Sequence, residues 1–437
     1  MKERFMQPVL SNATVLPWLE DASALEKQAV AGWVKALRAT GAEVFSQTGL
    51  PTAAWEGWRH TNLRPLADVK FRYATEAVEF DARKIPQKLL EGSGRIVLVN
   101  GQYQPRLSDL PEGVSVMSLM DGADKKTEGL ERHLVSVGDL RASPFKALNT
   151  AYLRDGIVLK VRDGADVLKP LEILFYNSAP ERGDAPAIYP RMLYRLGENS
   201  GLTLLERHTG EGIYLANSVS EIVQESSSRL RFYKFEEESP SAFHFSFTVL
   251  KQQKNTFFEG FSCATGGRVV RQEHRSLLID SGILCNMGGM YLLKDQQNHD
   301  FTILTDHFEP NGKSIQHFKG VIDDEACAVF QGKIHVRRFA QKTDGNQLNH
   351  ALLLSDQAEA SSEPKLEIYA DDVKCSHGAT SGKLDGDALF YLRSRGVPEE
   401  EARALLIQAF LDETLEQVSF LPVREIYQER VRTWLAN

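Results

Sequence analysis

The chain has 437 residues, of which 42% are hydrophobic and 25% charged, a globular composition with room for two or three structural units. Its net charge is −8 and its Lys and Arg residues are scattered, so a nucleic-acid partner is not expected. No apolar run is long enough to cross a membrane, no secretory signal is visible, and the four cysteines form no Cys-x-x-Cys pair. We therefore expect a cytoplasmic protein with reduced thiols.

Residues 1–155 are predicted to form a mainly helical N-terminal domain. Within residues 21–48, apolar side chains recur at helical spacing, and Gly41 and then Gly49 are interpreted as signals that end the helix. The residues on this face are Leu25, Ala29, Trp33 and Leu37. Residues 95–99 are predicted to be a buried strand, because an apolar run is followed by the turn dipeptide Asn-Gly.

Residues 156–380 are predicted to be a long β region. Short runs of Val, Ile, Leu, Phe and Tyr replace the helical pattern, and polar or glycine-rich punctuation recurs roughly every 13–17 residues. Sandwiches and barrels usually turn sooner, whereas a solenoid can extend because each rung contacts only its neighbours. The spacing therefore favours a parallel β-helix over a sandwich or barrel, although no strict sequence repeat is visible.

Residues 381–437 are predicted to return to helix. Pro398 followed by three glutamates marks a helix start, and two apolar stripes follow it. The first stripe contains Ala402, Leu405, Leu406, Ala409 and Phe410, and the second contains Val423, Tyr427, Val431 and Trp434. Two roles remain open at this point: the helices could cap the end of the β region or bind a partner.

The densest polar cluster of the sequence lies at residues 367–380. If this segment is extended, Val373, Cys375 and His377 fall on one face, so a thiolate and an imidazole could address the same ligand. Both groups suit iron or an iron–sulfur centre. A Cys-x-His pair alone is a weak metal signal, and a structural or chance pairing is the commoner explanation.

Common enzyme signatures are absent from the sequence. There is no His-Glu-x-x-His, no Gly-x-Ser-x-Gly, and no Gly-x-Gly-x-x-Gly after a strand. Residues 311–314 imitate the end of a phosphate-binding loop, but His307 stands where that loop requires its first glycine. Any ATP hydrolysis is therefore expected from a partner. Five further histidines show no ligand spacing, namely His299, His307, His317, His335 and His350.

Several segments, in this order, resemble the SufB/SufD family of iron–sulfur cluster assembly proteins. They are Trp55-Glu56-Gly57-Trp58-Arg59-His60-Thr61, Phe145-Lys146-Ala147-Leu148-Asn149-Thr150-Ala151, Gln341-Lys342-Thr343-Asp344-Gly345-Asn346-Gln347, Lys374-Cys375-Ser376-His377-Gly378-Ala379-Thr380 and Leu389-Phe390-Tyr391-Leu392-Arg393-Ser394-Arg395-Gly396. The fourth of these is closer to the SufD branch than to the SufB branch. The similarity covers nearly the whole chain.

The resemblance implies a right-handed parallel β-helix between two helical regions, and a non-catalytic scaffold. The implied partners are a SufB-like subunit and a SufC-like ABC-type ATPase, with a homodimer possible when the chain is alone. The C-terminal helices would dock the ATPase, through residues that include Leu405, Leu406, Phe410, Tyr427 and Trp434.

The resemblance also assigns a role to the polar cluster. His377 matches a family histidine that lies at the SufB–SufD interface and takes part in cluster assembly, and Cys375 matches the cysteine of the same motif with its role left open. Iron or a nascent cluster would be held there transiently, and none would be stably bound by the isolated chain. Two alternatives are a β-helix enzyme acting on polysaccharide, and a SufB-like subunit that carries the main cluster itself.

Overall fold

The computed structural model describes residues 18–26, 28, 30–73, 80–125, 127, 129–135, 139–180 and 183–436. Helices lie near both ends of this described chain: α1 (Ala22–Glu26), α2 (Gly32–Thr48), α3 (Leu119–Asp124), α4 (Leu130–Val135), α5 (Pro144–Ala151), α6 (Gly386–Ser394), α7 (Glu399–Leu415) and α8 (Leu421–Ala436). Short 3₁₀ turns are found at Glu56–Trp58, Arg64–Asp68, Ala82–Lys84, Pro105–Leu107 and Leu140–Ala142. No helix in the described ranges is long and apolar enough to cross a membrane.

The strands begin in the N-terminal region and continue through the centre of the chain. They are β1 (Phe71–Tyr73), β2 (Gly94–Val99), β3 (Gln102–Tyr103), β4 (Val114–Ser118), β5 (Gly156–Val161), β6 (Leu171–Ser178), β7 (Ala185–Ile188), β8 (Arg191–Leu196), β9 (Gly201–Glu211), β10 (Leu215–Gln224), β11 (Arg229–Glu237), β12 (Phe243–Gln252), β13 (Phe257–Ala264), β14 (Val269–Leu278), β15 (Leu284–Leu293), β16 (Asn298–His307), β17 (Lys313–Ile322), β18 (Cys327–Val336), β19 (Asp344–Leu353), β20 (Glu359–Ile368) and β21 (Lys374–Gly382).

From β8 onward, successive strands alternate between two parallel sheets. Sheet A runs in the order β20-β18-β16-β14-β12-β10-β8-β5-β4, and sheet B in the order β21-β19-β17-β15-β13-β11-β9-β6-β2-β3. Each strand pairs with the strand two places further along the chain, so one coil takes about 28 residues, as from Val219 to Phe247. The result is a β-solenoid of about seven coils with helices at both ends of the chain, which confirms the predicted fold class. The spacing seen in the sequence corresponds to half a coil, one strand and one turn.

The N-terminal region packs on the outer face of sheet A. The ring of Phe145 in α5 stacks on Phe245 of β12 with centroids 3.8 Å apart. The prediction that Gly41 ends a helix was wrong, because α2 continues to Thr48. A Cβ at Gly41 would lie 2.5 Å from the backbone nitrogen of Ala151, so this glycine allows α2 to cross α5 closely. Ala29, predicted on the same helix, lies outside the described residues.

The C-terminal helices pack on the outer face of sheet B. Tyr427 of α8 is fully buried against Phe235 and Phe261, and its hydroxyl donates to the carbonyls of Lys234 (3.2 Å) and Phe261 (3.1 Å). The helix α7 contacts β15 and β17. These helices therefore lie along the side of the solenoid, and the alternative that they cap its end was wrong. No other described strand pairs with the outer edge of the last coil.

Candidate functional site

The last coil consists of β20 in sheet A and β21 in sheet B. Each is the terminal strand of its sheet, and no other described strand pairs with its outer edge. A terminal strand presents a row of backbone N–H and C=O groups without strand partners, which is a template for pairing with another chain. The open end is also the end at which Cys375 and His377 lie.

Cys375 and His377 both face the interior side of the solenoid. In the strand register, Cys375 pairs with Gly345 and His377 pairs with Gln347, and both of these β19 residues are buried. Because alternate residues of a strand share a face, the two functional candidates continue an inward-facing row. The predicted extended conformation and common face are confirmed, while the chemical role of the two residues stays a prediction.

Cys375 and His377 differ in their surroundings. The His377 side chain is exposed, whereas Cys375 is half-buried and packs near Ile334, Val336 and Ala370. Burial raises the pKa of the Cys375 thiol above its ordinary value, and a hydrogen bond involving the Gly345 backbone opposes that rise. The thiol is therefore protonated at neutral pH, which makes Cys375 the weaker iron ligand of the two in this chain alone.

A row of buried amides lies directly beneath His377. Gln347, which is 0% exposed, donates through Nε2 to Oε1 of Gln316 at 2.8 Å, and Gln316 in turn donates to the Thr305 hydroxyl at 3.0 Å. The Oε1 atom of Gln347 is buried without a hydrogen-bond partner. An unpaired buried acceptor is costly, and the strand neighbour of Gln347 in the register is His377.

His377 and Cys375 do not make a complete metal site by themselves. Within the described ranges, neither belongs to a group of three or more His, Cys, Asp or Glu side chains whose donor atoms converge. Iron centres require several ligands, so the remaining donors would have to come from outside this chain.

The five scattered histidines serve other contacts. His335 Nδ1 lies 3.2 Å from Asp306 Oδ1, but Arg337 also pairs with Asp306 at 2.9 Å, so this carboxylate is already neutralised. His299 and His307 are buried inside the solenoid, where desolvation lowers the pKa of each to about 4. The rings of His317 and His350 lie 6.1 Å apart, edge to face. None of the five lies in a converging group of metal ligands among the residues described.

Comparison with known proteins identifies the family. Residues 177–410 match the family described as SUF system FeS cluster assembly, SufBD core domain, and residues 15–173 match the SufBD protein N-terminal region. The chain belongs to the SufBD family of the SUF iron–sulfur cluster assembly system. The core match includes β21 and therefore both candidate residues.

Three relatives of this SufBD chain show the extent of the similarity. A SufBD family protein of Synechocystis is 30% identical over 398 residues, which cover 87% of this chain and 86% of that protein. The iron–sulfur cluster assembly protein SufD of Escherichia coli is 29% identical over 373 residues, or 85% and 86% of the two chains. A SufBD family protein of Mycobacterium tuberculosis is 28% identical over 345 residues, or 77% and 82%.

The predicted partner-binding residues of this SufBD chain divide into exposed and buried ones. Leu405 is 45% exposed, whereas Leu406 and Phe410 are half-buried and Trp434 packs partly against the cluster under the helices. Tyr427 is fully buried, so its assignment to a partner surface was wrong; it holds α8 on sheet B.

The sequence prediction missed two residues of the same helical region. Phe390 and Tyr391 of α6 are 73% and 57% exposed, and no residue of α6 is buried. An apolar pair on an otherwise exposed helix indicates an interaction surface more strongly than the buried stripe that the spacing had suggested. Phe390 and Tyr391 could have been found in the segment that resembles the family, by comparing its apolar residues with the helical period.

The buried cysteines and the paired aspartates take no part in the site. Cys263 and Cys285 are 2% and 1% exposed and are free thiols. The adjacent residues Asp371 and Asp372 lie exposed in the turn before β21. The SufBD membership gives the polysaccharide-enzyme alternative no support.

Proposed function

We propose that this SufBD chain is a non-catalytic scaffold subunit that works in the cytoplasm, joined at its last coil to a SufB-like subunit. A nascent iron–sulfur cluster, the cargo of the complex, would be built between the two chains. The observation that carries the proposal is the open last coil, which presents His377 on the inward face of a terminal strand whose outer edge pairs with no other described strand.

Two properties of the last coil support pairing with another chain. The outer edges of β20 and β21 can extend into a second β-structure through main-chain hydrogen bonds, because neighbouring strands of any sheet share one spacing. Apolar side chains are also left uncovered there: Ile368 at the end of β20 is 38% exposed and Tyr369 is 64% exposed. A second subunit on this end would bury both.

The chemistry at the joint follows from what His377 supplies. An imidazole nitrogen is a suitable iron ligand, and a thiolate from the SufB-like partner would complete a site that this chain cannot form alone. Because the site is divided between two subunits, it opens when they move apart, and the cargo is released. Cys375, whose burial raises its pKa, is a second candidate only if a cation on the partner stabilises its thiolate.

The energy source would be a SufC-like ABC-type ATPase docked on the C-terminal helices. The exposed residues Phe390, Tyr391 and Leu405 provide its contact surface. The helix α7 is tied to sheet B by Lys319, whose Nζ donates to the Phe410 carbonyl at 2.8 Å. Lys319 of β17 pairs in the register with His350 of β19, and His350 pairs with Thr380 of β21. Movement of α7 could therefore reach the last coil through one intervening strand.

The test is co-expression with the SufB-like and SufC-like partners, followed by iron and acid-labile sulfide analysis of the purified complex. We expect His377→Ala to leave the three subunits together and to lower iron and sulfide several-fold. The matched control is His60→Ala, since His60 is a partly exposed histidine that contacts Glu363 of β20 at 3.2 Å. The proposal is refuted if His377→Ala assembles as much cluster as the wild type.

A further inference from the structure

A charged layer lies inside the early coils of the solenoid, far along the chain from the open end. Its side chains come from three strands and the turn between two of them, and each is at most 5% exposed. They are Glu206 and His208 of β9, Lys234 and Glu236 of β11, Glu238 after β11, and His244 of β12. Charged groups are rarely buried unless they are paired or bind a metal, so the layer calls for a physical explanation.

Three members of this layer converge as metal ligands. His208, Glu238 and His244 each offer one donor atom, and the three donor atoms lie within 4.8 Å of one another. The two imidazole rings lie edge to face with centroids 4.7 Å apart. Two imidazole nitrogens and a carboxylate oxygen are a ligand set typical of Zn²⁺ and of Fe²⁺.

The surroundings of the three ligands fit a bound ion. His244 is fully buried; its Nδ1 lies 3.1 Å from Glu238 Oε1, and its Nε2 has no hydrogen-bond partner. Oε2 of Glu236 is a second polar atom of the layer without a partner. His208 Nε2 lies 2.8 Å from Glu206 Oε1, so this carboxylate orients the ring and leaves Nδ1 as the ligand nitrogen. The Tyr214 hydroxyl donates to the second oxygen of Glu238, as expected of an outer-shell group.

The balance of charge also favours a divalent cation. The layer contains three carboxylates, from Glu206, Glu236 and Glu238, and one ammonium, from Lys234. Both imidazoles are counted as neutral, the form in which histidine binds a metal. With all carboxylates ionised the layer carries two negative charges in excess, which one divalent ion neutralises.

We propose that His208, Glu238 and His244 bind one divalent transition-metal ion, Zn²⁺ or Fe²⁺, inside the solenoid. The ion links β9 of sheet B to β12 of sheet A through the turn after β11, and so fixes the early coils. Because all three ligands are buried, the ion enters during folding and leaves slowly afterwards. This site is separate from His377 and does not depend on the partners that the proposed function requires.

The test measures metal in the purified chain by elemental analysis, after expression in medium supplemented with zinc or iron, and after refolding with Zn²⁺ or, under anaerobic conditions, Fe²⁺. We expect about one ion per wild-type chain and less than about a tenth of that in Glu238→Gln and His244→Gln. His274→Gln is the matched control, because His274 is a buried inward-facing histidine of the next strand of sheet A that is outside the ligand group. A metal-free wild type under all these conditions, or unchanged metal in folded Glu238→Gln, overturns the proposal.

A second measurement covers the case in which the variants do not fold. The wild-type chain refolded with Co²⁺ should show visible absorption bands of a nitrogen- and oxygen-ligated ion. Thiolate-to-cobalt charge-transfer bands would place the ion on a cysteine and refute the assignment. The variant His377→Ala should bind the same amount of Zn²⁺ as the wild type, so a failure of this site and a failure of the proposed cluster site are distinguished.

Discussion

Replacing the buried His307 should reduce the loss of stability that the protein suffers in mild acid. His307 is 0% exposed on the inward face of β16, its Nε2 lies 2.9 Å from the Ser314 hydroxyl, and its Nδ1 has no hydrogen-bond partner. A proton added to Nδ1 would create a buried cation without an acceptor. Desolvation accordingly lowers the pKa of His307 to about 4, from its ordinary value of 6.5.

The direction of the effect follows from proton linkage. Between about pH 6.5 and pH 4 the unfolded chain binds a proton at this position and the folded chain does not, so unfolding becomes easier as the pH falls. The stability contributed by neutral His307 is complete above the unfolded pKa and is lost as the pH approaches the folded pKa. Between pH 7 and pH 5 this loss amounts to about 2 kcal/mol.

The assay compares wild type and His307→Gln by urea unfolding at pH 7 and pH 5, followed by circular dichroism. Glutamine keeps a donor near the Ser314 hydroxyl and carries no titrating group. The variant should lose about 2 kcal/mol less free energy of unfolding than the wild type over this interval. His377→Gln, at an exposed position, should follow the wild type. Equal losses in wild type and His307→Gln would refute the reasoning.

Four further substitutions test the packing. Gly41→Ala should lower the free energy of unfolding by about 1–3 kcal/mol, because the new Cβ would meet α5. Gly32→Ala in the same helix has open space around the new Cβ and should raise the free energy of unfolding by up to about 1 kcal/mol. Thermal unfolding of the two variants measures both effects. Tyr427→Phe should cost about 1–2 kcal/mol in urea unfolding, since it deletes a buried hydroxyl that bridges two strands. In Gly332→Ala the new Cβ would lie 1.4 Å from Nε2 of Gln347, the strand neighbour of His377, so this amide must move. The iron content of the co-purified complex should then fall while the subunits stay together.

The solenoid could be predicted from the spacing of its turns, but the coil length could not. Left-handed backbone recurs once per coil in the turns that lead from sheet A to sheet B, at Asn199, Ser227, Asn255, Gly282, Asn311 and Lys342. Asn and Gly adopt this conformation readily, so they mark a turn in the sequence. Ser227 and Lys342 also adopt it here, but residues of these types do so rarely and do not mark the position. Because Ser227 and Lys342 hold two of the six positions, the sequence shows turns at half-coil spacing but no strict repeat.

The helical regions show where local rules fail. Gly41 looks like a helix stop along the chain, and only the crossing with α5 explains why a glycine continues the helix there. Tyr427 fits an amphipathic stripe equally well whether the stripe faces a partner or the solenoid. Its contacts with Phe235 and Phe261, nearly two hundred residues earlier in the chain, decide the matter, and periodicity contains no information about them.

The candidate site was partly visible in the sequence. Alternation along an extended segment placed Cys375 and His377 on one face, and the structure agrees. What alternation could not give is the neighbour of that face: Gln347 lies thirty residues earlier and becomes adjacent only through the register of the coils. The cluster of His208, Glu238 and His244 was missed for the same reason. With the coil length known, residues 208 and 236 stack, and His244 follows at the start of the next strand.

The two ends of the solenoid differ in a way that limits how many chains can join. At the first coils the sheets finish in the antiparallel strands β3, two residues long, and β4, five residues long, and such short edges pair poorly with another chain. At the last coil β20 and β21 are ten and nine residues long. A solenoid with two joinable ends would grow into a filament, whereas one joinable end produces a pair. Under the proposed function, a second copy and a SufB-like subunit compete for the same edge, so the partner would displace a homodimer rather than add to it.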